Sequence, residues 1–238
     1  AKSKNENLVI LDIGDLTKEA LSSVKKKVLV LDHHMPVELG RHVVYLNPRC
    51  YESSAYYPVS CMTYLLARNF FSSKEVCWIA AIGILGDHAV RNCRKVVEET
   101  KELWPELIGD CGLNEYELFK NSKLGELAKV VNDCIIASSR AGARYVCKKL
   151  VEATEPLDLL SDERIVSWHK VVREEFERAL DEGLRNAKEY GKLVVVEVKS
   201  RLRLKSSIAS FLSERFKDKV LLVYQRFDDS IYFSLRGN

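Results

Sequence analysis

One stretch of the chain, Lys27-Val28-Leu29-Val30-Leu31-Asp32-His33-His34, indicates the fold, because an apolar run leads directly into an acid and two imidazoles. An apolar run without helical periodicity predicts a fully buried strand. The polar cluster then lies where a parallel strand leaves the core, and open α/β sheets bind ligands at that edge. Carboxylate oxygen and imidazole nitrogen together suit Mn, Fe or Zn.

Two further acids follow apolar runs. Residues 8–11 end at Asp12, and a short helix is predicted over 17–24, before the stretch quoted above. A right-handed strand–helix–strand crossover places Asp12 and the Asp32–His34 cluster on the same sheet edge. Asp87 closes the segment Gly-Ile-Leu-Gly-Asp at 83–87, after the apolar run 76–85. We therefore expect an α/β domain whose acids and imidazoles converge on one site.

These residues resemble a known family. Asp12, the Asp32-His33-His34 triplet and the Gly-x-x-Gly-Asp segment resemble motifs II, III and IV of the DHH phosphoesterase superfamily. The segment 46–48 (Leu-Asn-Pro) and a helix at 60–67 resemble its RecJ-like archaeal branch. The resemblance implies Mn²⁺ or Mg²⁺ as cofactor, with Asp12, His33 and Asp87 as metal ligands. It further implies that His34 contacts substrate phosphate and that Asp32 lies next to the ligands without binding the ion itself.

The resemblance also implies a motif I, a His-x-Asp-x-Asp-like segment some tens of residues before Asp12. Only residues 1–7 precede the first predicted strand. Two-metal catalysis needs both ions about 3.5–4 Å apart, and Asp12, His33 and Asp87 are expected to hold at most one ion. Either the segment comes from a longer protein, or it is a degenerate member that kept the fold and lost the chemistry. The second alternative resembles the DHH-derived (Cdc-forty-five-like) subunit of the CMG replicative helicase, whose archaeal counterparts associate with GINS.

Composition fits a globular protein with a substantial core. Of 238 residues, 47% are hydrophobic and 30% charged, and the net charge of +3 says little about nucleic acid. No apolar run approaches the roughly 20 residues that span a bilayer, and no signal peptide is apparent. The seven cysteines include no Cys-x-x-Cys pair, which favours reduced thiols in an intracellular protein. We expect a cytoplasmic, nucleoid-associated protein without membrane contact.

Helical patterns fill the middle of the chain. Helices are predicted over 59–71 and 74–85, the second opened by a capping box of Ser72 and Glu75. Further helices are predicted over 114–118 and 124–136, with a break at 138–142 and resumption over 143–150. A long amphipathic helix from about 162 to 190 ends at Gly191. We place a DHH-type domain at 1–155, a linking helix at 156–191 and a partial DHH-associated α+β lobe at 192–238.

The last segment changes to a strand pattern. Strands are predicted over 193–204, 220–225 and 231–235, with a helix over 206–214 and an Asp228-Asp229 hairpin. The ending Ser-Leu-Arg-Gly at 234–237 resembles the start of the DHH-associated domain. If 193–204 is one strand, four alternating cations share a face and could track a phosphate backbone, together with Arg236. These candidate nucleic-acid-binding residues are Lys199, Arg201, Arg203, Lys205 and Arg236. The alternative is an edge strand protected by charge.

Two functions remain open at this point. The first is a binding module: a RecJ-related, catalytically impaired component of an archaeal DNA replication complex that contacts GINS, the MCM helicase and single-stranded DNA. The second is a Mn-dependent single-strand-specific exonuclease or small phosphodiesterase, with His34 and Asp32 as catalytic residues. A third possibility, a nucleotide- or phosphate-sensing domain that uses the same sheet edge, is indicated by no distinguishing feature of the sequence.

Overall fold

The computed structural model describes residues 7–71 and 74–237. Internal packing divides the chain into two units, residues 1–128 and 129–238. The division falls within a helix, and the domain limits expected at 155 and 191 stay predictions. Among the described residues, no helix combines the length and apolar character needed to cross a bilayer.

A parallel three-stranded sheet forms the centre of the first unit. Its strands are β1 (Asn7–Leu11), β2 (Lys27–Leu31) and β3 (Val43–Leu46), in the order β1-β2-β3. Helix α1 (Lys18–Ser22) starts where the Thr17 hydroxyl accepts the Ala20 N–H at 3.2 Å. Apolar side chains of α1 and β2 pack together, so β2 is the buried strand that its sequence predicts. The predicted α/β fold is confirmed.

Helices follow the sheet in the first unit. They are α2 (Val59–Ala67), α3 (Cys77–Gly86), α4 (Arg94–Leu103), α5 (Pro105–Ile108) and α6 (Glu115–Asn121). Helix α2 ends four residues before its predicted end, and a 3₁₀ turn (Lys74–Val76) occupies the start of the predicted helix 74–85. The capping residue Ser72 lies outside the described residues. A Cβ atom at Gly83 would lie 2.5 Å from Ser60 Cβ, so this glycine permits the close approach of α3 to Ser60.

The second unit opens with most of one long helix and the whole of another. Helix α7 (Lys123–Glu152) starts in the first unit and is interrupted at Ser138 and Ser139, where φ is −140° and 46°. This interruption confirms the predicted break. Helix α8 (Glu163–Arg185) is capped by the Asp162 carboxylate, which accepts two backbone N–H groups. Its predicted end near 190 is wrong, because residues 188–190 pair with the following strand instead.

A four-stranded sheet completes the second unit. Its strands are β4 (Lys188–Tyr190), β5 (Leu193–Val198), β6 (Val220–Phe227) and β7 (Ser230–Arg236), in sequential order. β5 and β6 are parallel and the outer pairs antiparallel. Gly191, with φ of 59°, allows the tight β4–β5 turn. Helices α8 and α9 (Lys205–Ser213) pack against apolar side chains of β5 and β6. The hairpin at 228–229 is confirmed.

The predicted strand 193–204 is wrong in its second half, because β5 ends at Val198. The side chain of Gln225, which is fully buried, explains the change. Its Nε2 donates to the carbonyls of Ser200 and Leu202 at 2.9 and 2.7 Å. Its Oε1 accepts the N–H groups of Leu204 and Lys205 at 3.2 and 3.3 Å. One side chain therefore pairs four backbone groups of this segment, and the chain bends into α9.

Candidate metal centre

Two acids leave adjacent strands at the same edge of the parallel sheet. Leu11 and Leu31 are the last register pair of β1 and β2, so Asp12 and Asp32 come one step later on each strand. The Asp12 N–H donates to the Leu31 carbonyl at 3.0 Å, and the Asp32 N–H donates to the Leu46 carbonyl at 3.1 Å. The ladder thus continues past the strand ends and fixes both acids side by side.

Three side chains converge on this edge. Asp12 Oδ1 lies 3.3 Å from His33 Nε2 and 3.9 Å from His34 Nδ1. One donor atom of each residue lies within 4.8 Å of the others. Metal–nitrogen and metal–oxygen bonds of about 2.1 Å place neighbouring ligand atoms about 3.0–3.4 Å apart. The Asp12–His33 separation lies within that range, whereas the His34 nitrogen would have to move closer to Asp12. The second ring nitrogen of His33, Nδ1, is buried without a hydrogen-bond partner among the described residues.

His34 is held from three sides. Its Nδ1 lies 2.7 Å from Oδ1 of Asp32, a carboxylate that is only 2% exposed. The Asn47 side chain donates to the His34 carbonyl at 3.0 Å. A Cβ atom at Gly14 would lie 2.6 Å from Cγ of the His34 ring, so the loop after β1 packs directly on the imidazole. Asp32 therefore fixes the orientation of the His34 ring; the supporting role in an ion site that the resemblance implies stays a prediction.

Asp87 lies at the end of α3, within electrostatic range of the cluster. Burial raises the pKa of its carboxyl group; the His33 imidazole and Asp12 act in opposite directions, the first lowering it and the second raising it. Asp87 is outside the group of three converging donors. Its carbonyl accepts the Tyr56 hydroxyl at 3.1 Å, and the Tyr56 ring lies 5.2 Å from that of His33. Tyr56 braces the site, a role that its position in a loop without periodicity did not reveal.

Backbone strain marks both sides of the site. Asp12 and His88 have φ values of 60° and 54°, a backbone region that residues other than glycine rarely adopt. Such conformations cluster at functional sites, where the surrounding structure enforces them. The enforcing contacts are visible at His88: its Nδ1 lies 3.2 Å from Glu115, whose other oxygen accepts the Val90 N–H.

Comparison with solved structures identifies the architecture. A structure titled RecJ in complex with Mn²⁺, from Thermus thermophilus, superposes with a TM-score of 0.66 over 92% of this chain. The chain has the RecJ fold. A structure titled exonuclease RecJ bound to manganese gives a TM-score of 0.65 over 98% of this chain. Sequence identity is 17% in both cases, and this chain spans 36% and 63% of the two RecJ chains.

Sequence comparisons give no match. No protein-family model matches this chain, and no curated protein matches it. The prediction of a DHH-type RecJ fold is therefore supported by the solved structures alone. The archaeal, GINS-associated branch stays a prediction.

The predicted basic surface is divided in this RecJ-fold chain, because 199–204 is not a strand. Lys199 and Arg201 face acids of α8: Lys199 Nζ lies 3.4 Å from Glu182, and the charge of Arg201 acts on Glu175. The other three cations, Arg203, Lys205 and Arg236, lie near one another. Burial lowers the pKa of Lys205, and the charges of Arg236 and Arg203 lower it further.

Aromatic rings accompany the three neighbouring cations. The guanidinium of Arg203 lies 5.6 Å from the Tyr232 ring centre and 5.8 Å from that of Phe227. Lys205 Nζ donates to the hydroxyls of Ser206 and Ser234. Cations beside aromatic rings are the combination that holds single-stranded nucleic acid, so Arg203, Lys205 and Arg236 stay the stronger candidates.

Proposed function

We propose that this chain is a RecJ-fold component that binds one divalent cation and, with it, the phosphate backbone of single-stranded DNA. The donor cluster of Asp12, His33 and His34 is the observation that supports this proposal. It offers one carboxylate and two imidazoles within 4.8 Å, a set suited to one ion. Both RecJ structures named above are titled as manganese-bound, and Mn²⁺ accepts oxygen and nitrogen donors together.

Each residue of the cluster has a distinct task. Asp12 and His33 would hold the ion through Oδ1 and Nε2. When bound, the ion neutralises phosphate charge and lowers the pKa of a coordinated water. With its proton on Nδ1, His34 would donate to Asp32 and keep Nε2 for a water on the phosphate. Asp32, nearly fully buried, fixes the ring in that orientation.

We propose retention of DNA as the first function and cleavage as the second. Two-ion hydrolysis places the ions about 3.5–4 Å apart, so that one activates the nucleophile and the other stabilises the leaving oxygen. The described residues bring together donor atoms for one ion, with Asp87 close enough to be influenced by its charge. A single ion held by these residues anchors a phosphate without completing that clamp.

The decisive experiment combines binding and cleavage on end-labelled single-stranded DNA. We expect Mn²⁺-dependent, salt-sensitive retention without cleavage, and loss of the Mn²⁺-dependent part in Asp12→Asn. Asn keeps the size of Asp12 and tolerates positive φ, so the variant isolates the lost charge. Retention that is equal with Mn²⁺ and with chelator would contradict the proposal.

A second candidate function is a Mn-dependent exonuclease or small phosphodiesterase. The observation that favours it is Asp87, an additional carboxyl beside the cluster that would add a ligand once an ion is present. In that case the same assay gives cleavage that Asp12→Asn and Asp87→Asn both abolish. Cleavage that survives both substitutions would come from a contaminating nuclease.

The partner is proposed on the DHH resemblance alone. We propose that the chain works beside GINS and the MCM helicase in a replication complex. Purified GINS subunits should co-elute with the chain, and the Asp12→Asn variant should co-elute equally, because complex formation does not need the ion. Failure to recover any GINS subunit would remove this part of the proposal and leave the ion site untouched.

A further inference from the structure

Arg49 stands beside the candidate metal centre, where two contacts hold its guanidinium. Its Nη1 donates to the Met35 thioether sulfur at 3.4 Å, and its guanidinium carbon lies 5.7 Å from the centre of the Tyr56 ring. Met35 directly follows His34 in the chain. The Tyr56 ring lies 5.2 Å from the ring of His33. Both groups that contact the guanidinium are therefore neighbours of the two histidines.

The backbone of Arg49 is tied to the same site by one buried side chain. Asn47, which is 1% exposed, accepts the Arg49 N–H through Oδ1 at 3.0 Å. Its Nδ2 donates to the His34 carbonyl, also at 3.0 Å. A 3₁₀ turn (Pro48–Cys50) starts at this carboxamide. The position of Arg49 is thus fixed relative to His34, so the guanidinium needs little ordering to bind a ligand.

No acid neutralises this guanidinium among the described residues. Arg68, another arginine of the first unit, pairs with Glu99 at 3.0 Å. Arg49 instead contacts an aromatic ring and a thioether, which is a weak acceptor. Its Nε is buried and has no hydrogen-bond partner in the described part of the chain. A partly desolvated cation without a counter-charge attracts an anion more strongly than a fully solvated cation does.

The charge of Arg49 reaches the groups around the ion site. Burial raises the pKa of Tyr56; the charges of Asp87 and Asp12 raise it further, whereas the charge of Arg49 lowers it. The Tyr56 hydroxyl is therefore within electrostatic range of Arg49 and of both acids. A bound ion and Arg49 would together offer two positive charges at this edge of the sheet, and each phosphate of a DNA strand carries one negative charge.

We propose that Arg49 binds a phosphate group of single-stranded DNA beside the ion site, through two parallel N–H···O bonds. This role rests on the proposed function and adds a residue to it. The planar guanidinium matches two phosphate oxygens, whereas a lysine ammonium is a point charge. Binding exchanges the weak thioether acceptor at Nη1 for a charged oxygen. Arg49 acts on the DNA strand and does not hold the ion.

Binding of end-labelled single-stranded DNA in saturating Mn²⁺, measured over a range of salt concentrations, tests the role of Arg49. Arg49→Gln should raise the dissociation constant at least about tenfold, because hydrogen bonds to a charged group are lost. The slope of log affinity against log salt should become shallower by about 0.7, which is the contribution of one phosphate contact on a single strand. Arg49→Lys should keep the slope of the parent and recover only part of the affinity.

Arg41→Gln is the matched control. Arg41 is exposed and lies two residues before β3, at the strand end opposite to Asn47. This variant removes the same charge and should leave the DNA affinity and the salt slope unchanged. Electron paramagnetic resonance should show Mn²⁺ binding that is no weaker in Arg49→Gln than in the parent. Thermal unfolding confirms that all three variants are folded.

The possible results separate this role of Arg49 from the proposed function. If the parent retains DNA with Mn²⁺ and Arg49→Gln matches it in affinity and slope, the role of Arg49 is wrong and the ion site stands. Equal losses in Arg49→Gln and Arg41→Gln, or full recovery in Arg49→Lys, would also overturn it, because the effect would be one of general charge. If the parent binds DNA equally with Mn²⁺ and with chelator, the proposed function fails, and a shallower slope in Arg49→Gln still supports Arg49. A parent that binds no DNA contradicts both.

Discussion

Two histidine–aspartate pairs among the described residues have nearly the same contact distance and opposite surroundings. In the first unit, His34 Nδ1 lies 2.7 Å from Asp32; in the second, His169 Nδ1 lies 2.8 Å from Asp133. Both carboxylates are buried, at 2% and 0% exposed. The contact between imidazole and carboxylate therefore does not by itself distinguish a binding site from a structural brace.

The partners around each pair make the difference. Arg173 donates to Asp133 at 2.9 Å, so the second carboxylate is neutralised by a cation and joins α7 to α8. Near His34 stands Asp12, half exposed and in a strained conformation, which adds negative charge instead of cancelling it. Both oxygens of Asp133 in this closed pair therefore already have partners, His169 and Arg173. The open pair gathers acids and imidazoles that a cation would stabilise.

The largest effect is expected when the buried His169–Asp133 pair of the second unit is broken. Asp133→Ala leaves Arg173 and His169 without their buried partner, and the free energy of unfolding should fall by about 3–5 kcal/mol. Asp32→Ala should cost less, about 1–3 kcal/mol, because one hydrogen-bond donor is orphaned. Urea unfolding of both variants checks the order. A smaller loss in Asp133→Ala than in Asp32→Ala would mean that the second pair is not the structural one.

The next largest effect is expected when the cluster of Asp12, His33 and His34 loses its exposed carboxylate while the protein stays folded. Asp12→Asn should weaken Mn²⁺ binding at least about 100-fold, because it removes the one charged ligand, and a ligand counts for more than its outer partners. Its stability should stay within about 0.5 kcal/mol of the parent, as for other exposed substitutions. Electron paramagnetic resonance of free Mn²⁺ measures the first quantity and thermal unfolding the second. Unchanged affinity would exclude Asp12 as a ligand.

A smaller effect is expected from Asp32, which contacts the His34 ring and is not itself a predicted ligand. Asp32→Asn keeps the size of the side chain but holds the His34 ring less firmly, and Mn²⁺ affinity should fall about tenfold. Asp133→Asn is the matched change in the closed pair and should leave Mn²⁺ affinity unaltered. Equal effects of the two substitutions on affinity would show that the loss reflects general destabilisation.

The smallest effect concerns a pair at the surface of the second unit. The Arg178 guanidinium lowers the pKa of Glu175 from 4.5 to about 2. The resulting stability is present above pH 4.5 and is lost as the pH falls from there towards 2. Glu175→Gln should remove at most about 1 kcal/mol at neutral pH, and the difference should vanish as the pH falls below about 2. Unfolding measured against pH checks this; a pH-independent difference would point to packing instead of charge.

Local pattern was enough to predict much of the first unit. The run before Asp32 and the run before Asp12 became neighbouring parallel strands, with the acids at one edge. Only β2 is buried, as a long apolar run predicts; every second residue of β1 is exposed. The placement of Asp87 after an apolar helix followed in the same way. Asp12, His33 and His34 do meet; their role as ligands stays a prediction.

Long-range contacts account for what local pattern missed. The cations at 199–205 alternate as they would in a strand, but a buried glutamine more than twenty positions later takes the backbone hydrogen bonds. Lys188–Tyr190 continued the helical pattern and instead paired with β5. His169 had no assignable partner in the sequence, because Asp133 lies 36 positions away on another helix.

The close approach of Gly14 to His34 has a genetic consequence. Gly14→Ala would add a single methyl group 2.6 Å from the ring and displace it, with every predicted ligand still present in the sequence. Selection or mutagenesis could therefore separate ion binding from folding through a position that carries no chemistry of its own. Such an allele would resemble a ligand mutant in cells while a reader of the gene found all ligands intact.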